Sequence, residues 1–116
     1  MEGTMSTLPR TLQIGPFVYS VYADLEKIKD AEKESGSLFG VTTVGDLEIL
    51  LHPTSHDLVQ RETLLHEVLH AVFHNVGLSE KLGDKAEEQM IRSLSPALFD
   101  LLLRNPQLVA YLVGAQ

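Results

Sequence analysis

Two histidines and a glutamate interrupt the aliphatic segment LLHEVLH at residues 64–70. His66 and His70 are four residues apart, so on a helix both imidazoles project from one face and can reach a single metal ion. Glu67 is turned about 100° from His66, which keeps its carboxylate near that ion without binding it. This HExxH spacing predicts two neutral imidazole ligands and a glutamate that acts as a general base.

A third metal ligand is required, because catalytic zinc normally takes three protein ligands and leaves one position for water. The segment DKAEEQMIRSLS supplies carboxylates for this role. Glu87 is the preferred ligand, because it lies on the predicted buried face of this segment, where a carboxylate needs a partner. Glu88, turned by about 100°, and Asp84, one turn earlier, remain alternatives. His74 lies about 12 Å along the helix axis from His66, too far for one ion to bridge.

The alternative for His66 and His70 is a purely structural role in the core. Glu67 argues against that role, because a buried glutamate would then have no obvious cationic partner nearby in sequence. The chain has no cysteine, which excludes disulfides, thiolate catalysis and cysteine-type zinc fingers. His, Asp and Glu are therefore the only strong metal ligands that the chain offers, and Zn²⁺ is the predicted cofactor.

A long helix must carry the HExxH residues. A loose capping box at Thr54 and Asp57 starts this helix near Ser55, and Gly77 ends it. Its apolar residues gather on one side of a helical wheel and predict the core face, whereas the histidines and Glu67 form a polar arc that faces a cleft. The predicted core face contains Leu58, Leu65, Leu69, Val72, Phe73 and Val76.

Two further helices are predicted after the metal helix. The first runs from residue 83 or 84 to Arg104, with a kink or restart at Pro96. A short last helix follows over residues 105–114, because Asn-Pro opens this segment and a glycine closes it. The inward stripe of the first of these helices is predicted to contain Glu87, Met90, Ile91, Leu94, Leu98 and Leu101.

The strands are predicted in the first half of the chain. The β-branched and aromatic run from Leu12 to Ala23 reads as a strand with a break at Gly15-Pro16. Two β-prone runs, Leu38 to Val44 and Leu47 to Leu51, form a hairpin, and residues 24–35 are a solvated helical turn or a connection. The predicted fold class is α+β, with a small antiparallel sheet of about three strands packed on the HExxH helix and one or two C-terminal helices.

Length and charge bound the range of functions. A chain of 116 residues favours one domain, and the net charge of -7 without a basic cluster disfavours nucleic acid as a partner. The first residues show no signal or transit peptide, and no apolar run is long enough for a membrane span. The prediction is a cytoplasmic protein without a membrane or nucleic-acid partner, and the oligomeric state is left open.

With these motifs in hand, the chain resembles a minimal gluzincin, the zinc peptidase group defined by HExxH and a downstream glutamate. More closely, it is similar to small HExxH proteins of tailed phages and prophages and, distantly, to metallopeptidases of the ImmA/IrrE type. The likeness runs from about Leu12 to Val113 and is clearest in GDLEILLHP, RETLLHEVLHAVFHNVGL and EEQMIRSLSPALFDLLLRNP. The EANxFA-like helix of the ImmA/IrrE type reads EEQMIRSLS here.

The resemblance implies a zinc-dependent peptidase that acts on a peptide or protein substrate. His66, His70 and Glu87 would bind zinc, and Glu67 would be the general base for a metal-activated water. It also implies a single zincin-like catalytic domain over residues 10–116 after a flexible tail at 1–9, in a host cytoplasm if the protein is phage-encoded. The strand in GDLEILL would offer an edge on which an extended substrate pairs as an added strand.

Two matters stay open at the level of sequence. The oxyanion-stabilising residue has four candidates, which are Tyr19, Tyr22, His74 and Arg92. The function has an alternative from another class, in which the metal stabilises a catalytically inactive interaction protein or a phage assembly or regulatory protein. The small size of the chain favours that alternative, because few residues remain to build a specificity pocket.

Overall fold

A four-stranded sheet and five helices form the fold in the computed structural model, which describes residues 7–35, 38–53 and 56–114. The strand order is β1-β2-β4-β3 once the strands are numbered along the chain. The elements are β1 (Thr11–Ile14), β2 (Phe17–Ala23), α1 (Leu25–Ser35), β3 (Gly40–Thr43), β4 (Glu48–Leu51), α2 (Asp57–Asn75), α3 (Leu78–Leu82), α4 (Asp84–Arg104) and α5 (Pro106–Val113).

The predicted α+β fold class is confirmed, and the sheet has one more strand than the three expected. The sheet is mixed, because β2 and β4 run parallel while the other two pairs are antiparallel. Parallel strands need a long crossover connection, and α1 lies within the segment that joins β2 to β4. Ile28 of α1 is fully buried, so the charged stretch forms an amphipathic helix and not a bare connection.

The strand predicted from Leu12 to Ala23 is two strands. Its break at Gly15-Pro16 is a tight turn that pairs Ile14 with Phe17 across a hairpin. Gly15 has φ 60°, which is the left-handed region that favours glycine. The turn is tied to the end of α2, because the Asn75 side-chain amide donates a hydrogen bond to the carbonyl oxygen of Ile14 at 2.9 Å.

The prediction that the GDLEILL strand offers a free edge is wrong. This strand is β4, and it pairs with β2 on one side and with β3 on the other. The sequence does show the β3–β4 hairpin, whose connection is a short 3-10 turn over Val44–Asp46. It does not show that the crossover through α1 seats β4 beside β2, which leaves β3 as the strand at the edge.

The side of α2 that packs against the sheet is the one that carries Glu67. Thr63, Glu67 and Ala71 are buried at intervals of four residues, and Ala71 joins the core cluster of the sheet. Small side chains permit this close approach. A Cβ atom added to Gly40 of β3 would come within 2.7 Å of the Thr63 Cγ2 atom. The sheet therefore covers Glu67 of the polar arc of α2, whereas the histidines of this arc border a cleft, as the sequence predicted.

The predicted core face of α2 is consequently wrong for three of its six members. Phe73 is buried, Leu65 and Leu69 are half-buried, and Leu58, Val72 and Val76 are exposed. The helical wheel counts apolar area, but the approach of helix to sheet is decided by small side chains on the opposite side. The helix begins at Asp57, with the His56 Nδ1 atom accepting a hydrogen bond from the Leu58 amide at 3.2 Å. The predicted start near residue 55 lies outside the described residues.

The second predicted helix is observed as α4, which continues through Pro96 to Arg104. Its buried residues are Glu87, Ile91 and Ser95, whereas Met90, Leu94 and Leu101 of the predicted inward stripe are exposed. The short last helix is α5, and α3 is an additional turn of helix after α2. Within the described residues, every helix is too short or too polar to cross a membrane.

The predicted division into a flexible tail at 1–9 and one domain over 10–116 stays a prediction. Residues 1–6 of the tail lie outside the described residues.

The helices that carry the candidate site, α2 and α4, are antiparallel. Ser95 of α4 donates a hydrogen bond to the Glu62 carboxylate near the start of α2, while Glu87 of α4 contacts His70 near its end.

Candidate metal centre

His66 and His70 lie side by side on α2, with their ring centroids 5.1 Å apart. Both Nε2 atoms face one carboxylate oxygen of α4. The Glu88 Oε1 atom is 3.3 Å from His66 Nε2 and 2.9 Å from His70 Nε2. One ligand atom from each of these three residues lies within 4.8 Å of the other two. The two helices thus bring two imidazole nitrogens and one carboxylate oxygen to a common point.

Glu87 and Glu88 approach His70 from opposite sides. The Glu87 Oε2 atom is 2.5 Å from Nδ1 of His70, the ring nitrogen that does not contact Glu88. Glu87 is buried, as the sequence predicted, but its carboxylate meets Nδ1 of His70 and not Nε2. The three-residue cluster therefore contains Glu88 and not Glu87, and the predicted ligand role of Glu87 stays a prediction. Asp84 borders the cleft beside these residues and is not part of the three-residue cluster.

The donor set fits zinc. Two imidazole nitrogens and one carboxylate oxygen are the protein ligands found at many catalytic zinc sites, with a further position left for water. When Nδ1–H of His70 donates to Glu87, the lone pair of Nε2 is free to bind a metal. A carboxylate on the distal ring nitrogen is the usual partner of a metal-binding histidine, because it fixes the tautomer and the ring orientation.

The protonated form of His70 and the ionised form of Glu88 stabilise each other. Burial opposes a positive charge on His70, but the hydrogen bond to Glu87 and the carboxylates of Glu67 and Glu88 outweigh it and raise the pKa of His70. Burial likewise opposes ionisation of Glu88, but His66, His70 and Arg92 outweigh it and lower the pKa of Glu88. The Glu88 carboxylate is therefore held in the ionised form that a metal requires.

Glu67 is only 6% exposed and lies outside the three-residue cluster, beside the two histidines. Burial raises the pKa of Glu67 more than the Thr42 hydrogen bond and the two histidines lower it. The Thr42 hydroxyl of β3 lies 2.7 Å from Glu67 Oε1 and 2.9 Å from the Glu67 backbone oxygen. Glu67 is thus a positioned carboxylate with a raised proton affinity, as a general base requires.

A cleft of about 870 Å³ borders the cluster. Its walls are β3 with the residues on either side of it, the cluster-bearing side of α2, and the first turns of α4. Phe39 stands in this wall with 63% of its surface exposed, next to Val41 and Leu38. The cleft therefore joins a polar floor of histidines and carboxylates to an apolar wall.

The four oxyanion candidates fall into two groups. Tyr19 is fully buried in the core, and Tyr22 lies on the sheet under the Lys27 ammonium at 5.0 Å from its ring centroid. Neither tyrosine borders the cleft. His74 and Arg92 do border it, and the Arg92 Nη2 atom is 3.0 Å from Glu88 Oε2. Only His74 and Arg92 stay candidates for a role in the cleft.

Thr42 is the site residue that sequence reasoning missed. Its role depends on which strand lies at the edge and on which of its alternate positions face α2, and neither is visible in GVTTVGD. Gly40 gives a signal in retrospect. A glycine within a strand often marks a close approach of another part of the molecule, and Thr42 lies on the same face of β3 two residues later.

Comparison of the chain with protein-family models, with curated proteins and with solved structures gave no match. The geometry of the cluster and of the cleft is accordingly what bears on the function.

Proposed function

We propose that the protein is a zinc-dependent peptidase whose metal ligands are His66, His70 and Glu88. The observation that carries this proposal is the convergence of both Nε2 atoms on one Glu88 oxygen, next to a buried glutamate at the wall of a cleft. Glu87 would hold His70 in orientation through Nδ1, as the contact at 2.5 Å supports.

Glu67 has the properties of the general base in this proposal. Its raised pKa suits a group that takes a proton from water and later passes it to a leaving amine. A bound zinc would act as a Lewis acid that activates water and polarises the scissile carbonyl. Thr42 fixes the Glu67 carboxylate, so that it needs little reorganisation during the reaction.

The position of β3 supports a peptide as the substrate. β3 is the last strand of the sheet on its side, and its residues line the cleft beside the cluster. An extended peptide can therefore pair with the outer edge of β3 and lie across the site. The substrate edge that the sequence placed on β4 belongs to β3 in this proposal.

Zinc binding and zinc-dependent hydrolysis test the proposed function. After treatment with a chelator, the protein should bind one zinc per chain and cleave members of a mixed peptide pool, and both properties should disappear in His66→Ala. The matched control is His74→Ala, which removes a histidine of the same helix outside the cluster and should keep zinc. The measurements are metal analysis and mass spectrometry of the pool.

The same experiment distinguishes a peptidase from the alternative, a metal-stabilised protein without catalytic activity. Zinc bound by the wild type with no cleavage of any pool would favour a metal-stabilised interaction protein over a peptidase. An absence of stoichiometric zinc binding would contradict both readings.

Thr42→Val is expected to lower kcat by about 10- to 100-fold, because a misplaced catalytic group costs this much even when its chemistry is intact. Valine keeps the shape of threonine but leaves the buried Glu67 carboxylate without its hydroxyl partner. The loss of this partner lowers the free energy of unfolding by about 1–3 kcal/mol. KM and bound zinc should change little. Thr42→Ser, which keeps the hydroxyl, should stay near the wild-type rate, and equal rates for the two variants would contradict a positioning role.

A further inference from the structure

We call α2 and α4 together the helical layer. The side of this layer that faces away from the sheet carries an exposed apolar surface. We call it the helical face and define it by six side chains that are exposed over a third or more of their surface. They are Leu58 (47%), Val72 (36%), Val76 (64%), Met90 (50%), Leu94 (42%) and Leu101 (46%).

The contribution of α2 to this surface follows from its contacts with the sheet. Glu67 is buried toward β3. Leu58 of α2 and Val76, the residue directly after α2, are each nine residues away from it, which is about 180° around a helix. Both side chains therefore point away from the sheet. Val72, at about 140° from Glu67, lies on the same side.

The contribution of α4 points the same way. α4 packs on α2 through Ile91 and Ser95, while Arg92 borders the cleft. Met90 and Leu94 are each about 200° from Arg92, on the side remote from the cleft. Because α2 and α4 are antiparallel neighbours, their exposed stripes meet in one surface.

The stripe on α4 has the spacing of a helix-packing seam. Met90, Leu94, Ala97 and Leu101 follow one another at intervals of four, three and four residues. This 3-4 pattern keeps side chains in line with a second helix at a small crossing angle. Exposed Ala97, in the middle of the stripe, allows close approach.

The area of the helical face is close to what a dimer needs. Its six side chains expose on the order of 400 Å² of apolar surface, before half-buried Leu65 and Leu69 are counted. A standard stable interface buries about 800 Å² per partner, of which about 65% is apolar in homodimers. A patch of this size is within the range of the largest apolar patch on a typical monomer, about 300–600 Å², and such patches are often functional.

We propose that the helical face binds a second copy of this chain. Two pairs of antiparallel helices, one pair from each copy, would pack face to face as a four-helix arrangement around a two-fold axis. The same patch would serve both copies, so that the exposed apolar side chains of each cover those of the other.

The charged residues at one end of the helical layer form ion pairs within their own helices, so they add no like-charge repulsion to this arrangement. Arg61 is 3.1 Å from Asp57 on α2, and Arg104 is 2.7 Å from Asp100 on α4. Both ion pairs lie at the same end of the layer, because the start of α2 is next to the end of α4. A two-fold axis parallel to the helices would set α2 of one copy over α4 of the other. Each rim would then meet a rim that carries both signs of charge, while the metal cleft stays open.

The test is the mass of the protein in solution, measured by sedimentation equilibrium over a range of concentrations. The wild type should sediment as a dimer at tens of micromolar, against 12.8 kDa for one chain. Leu94→Glu and Val76→Glu place a charge within the apolar patch and should each raise the dissociation constant at least 100-fold. Both positions are exposed, so circular dichroism should show the wild-type fold.

The matched control is Val18→Glu, which puts the same charge at a position on β2 that is 52% exposed and away from the helical face. This variant should stay dimeric. A wild type that is monomeric at every concentration would overturn the proposal and leave the face to a different partner. Dimerisation that Leu94→Glu and Val76→Glu do not weaken would overturn it as well.

Discussion

Glu67→Gln is expected to lower kcat by about 10²- to 10⁴-fold, which is the usual contribution of a general base. Glutamine keeps the size of the side chain and can still accept a hydrogen bond from Thr42, but it cannot take a proton from water. Glu67 lies outside the three-residue cluster, so zinc should stay bound at one per chain. The measurement is peptide cleavage with metal content determined on the same sample.

The stability of the variant separates catalysis from folding. Burial raises the pKa of Glu67, so at neutral pH the folded state disfavours the ionised form relative to the unfolded chain. A neutral glutamine relieves this cost, and the melting temperature of the metal-free protein should not fall. Glu26→Gln, at an exposed position on α1, is the control with wild-type activity. An active Glu67→Gln protein would contradict the assignment of the base.

The grouping of the candidate site residues could be predicted in large part because HExxH is a local pattern. His66 and His70 share one side of any helix that contains them, and Glu67 is turned away from both, whatever the rest of the fold is. The structure brings the two histidines together with a carboxylate of the next predicted helix. Local periodicity also located α2, α4 and the β3–β4 hairpin to within a few residues.

What the sequence could not predict is orientation. Apolar content assigned the core side of α2 to Leu58, Val72 and Val76, yet the sheet packs on the side with Thr63 and Ala71, where small side chains allow contact. A helical wheel assumes that apolar residues are buried within the same chain. In our proposal the apolar residues of this side are covered by a second copy, which a single-chain prediction cannot register.

The order of the strands was also beyond the sequence. The pattern shows that β3 and β4 form a hairpin, but not which of them lies beside β2. That choice depends on the crossover through α1, a long-range arrangement of the whole sheet. The strand expected at the edge was therefore the wrong member of a correctly predicted hairpin, and with it the Thr42 contact to Glu67 was missed.

Glu88→Gln is expected to weaken zinc binding by more than about 100-fold, whereas Glu87→Gln should weaken it by about 10- to 100-fold. The smaller range is typical of carboxylates that orient a metal-binding histidine without touching the metal, and the loss of a charged ligand exceeds it. Both variants keep the size of the side chain. The measurement is zinc affinity in competition with a chelator of known affinity at a fixed pH.

Glu87 and Glu88 are adjacent in sequence, and each contacts a different nitrogen of His70. On a helix they are turned about 100° apart, and Ile91 and Ser95 fix the rotation of α4 against α2, so that each carboxylate meets a different nitrogen of His70. If Glu87→Gln weakened zinc binding more than Glu88→Gln did, Glu87 would be the ligand, as the sequence predicted. Glu80→Gln on α3, outside the cluster, should leave zinc affinity unchanged. Equal and small effects of the Glu87 and Glu88 substitutions would mean that neither carboxylate binds the metal.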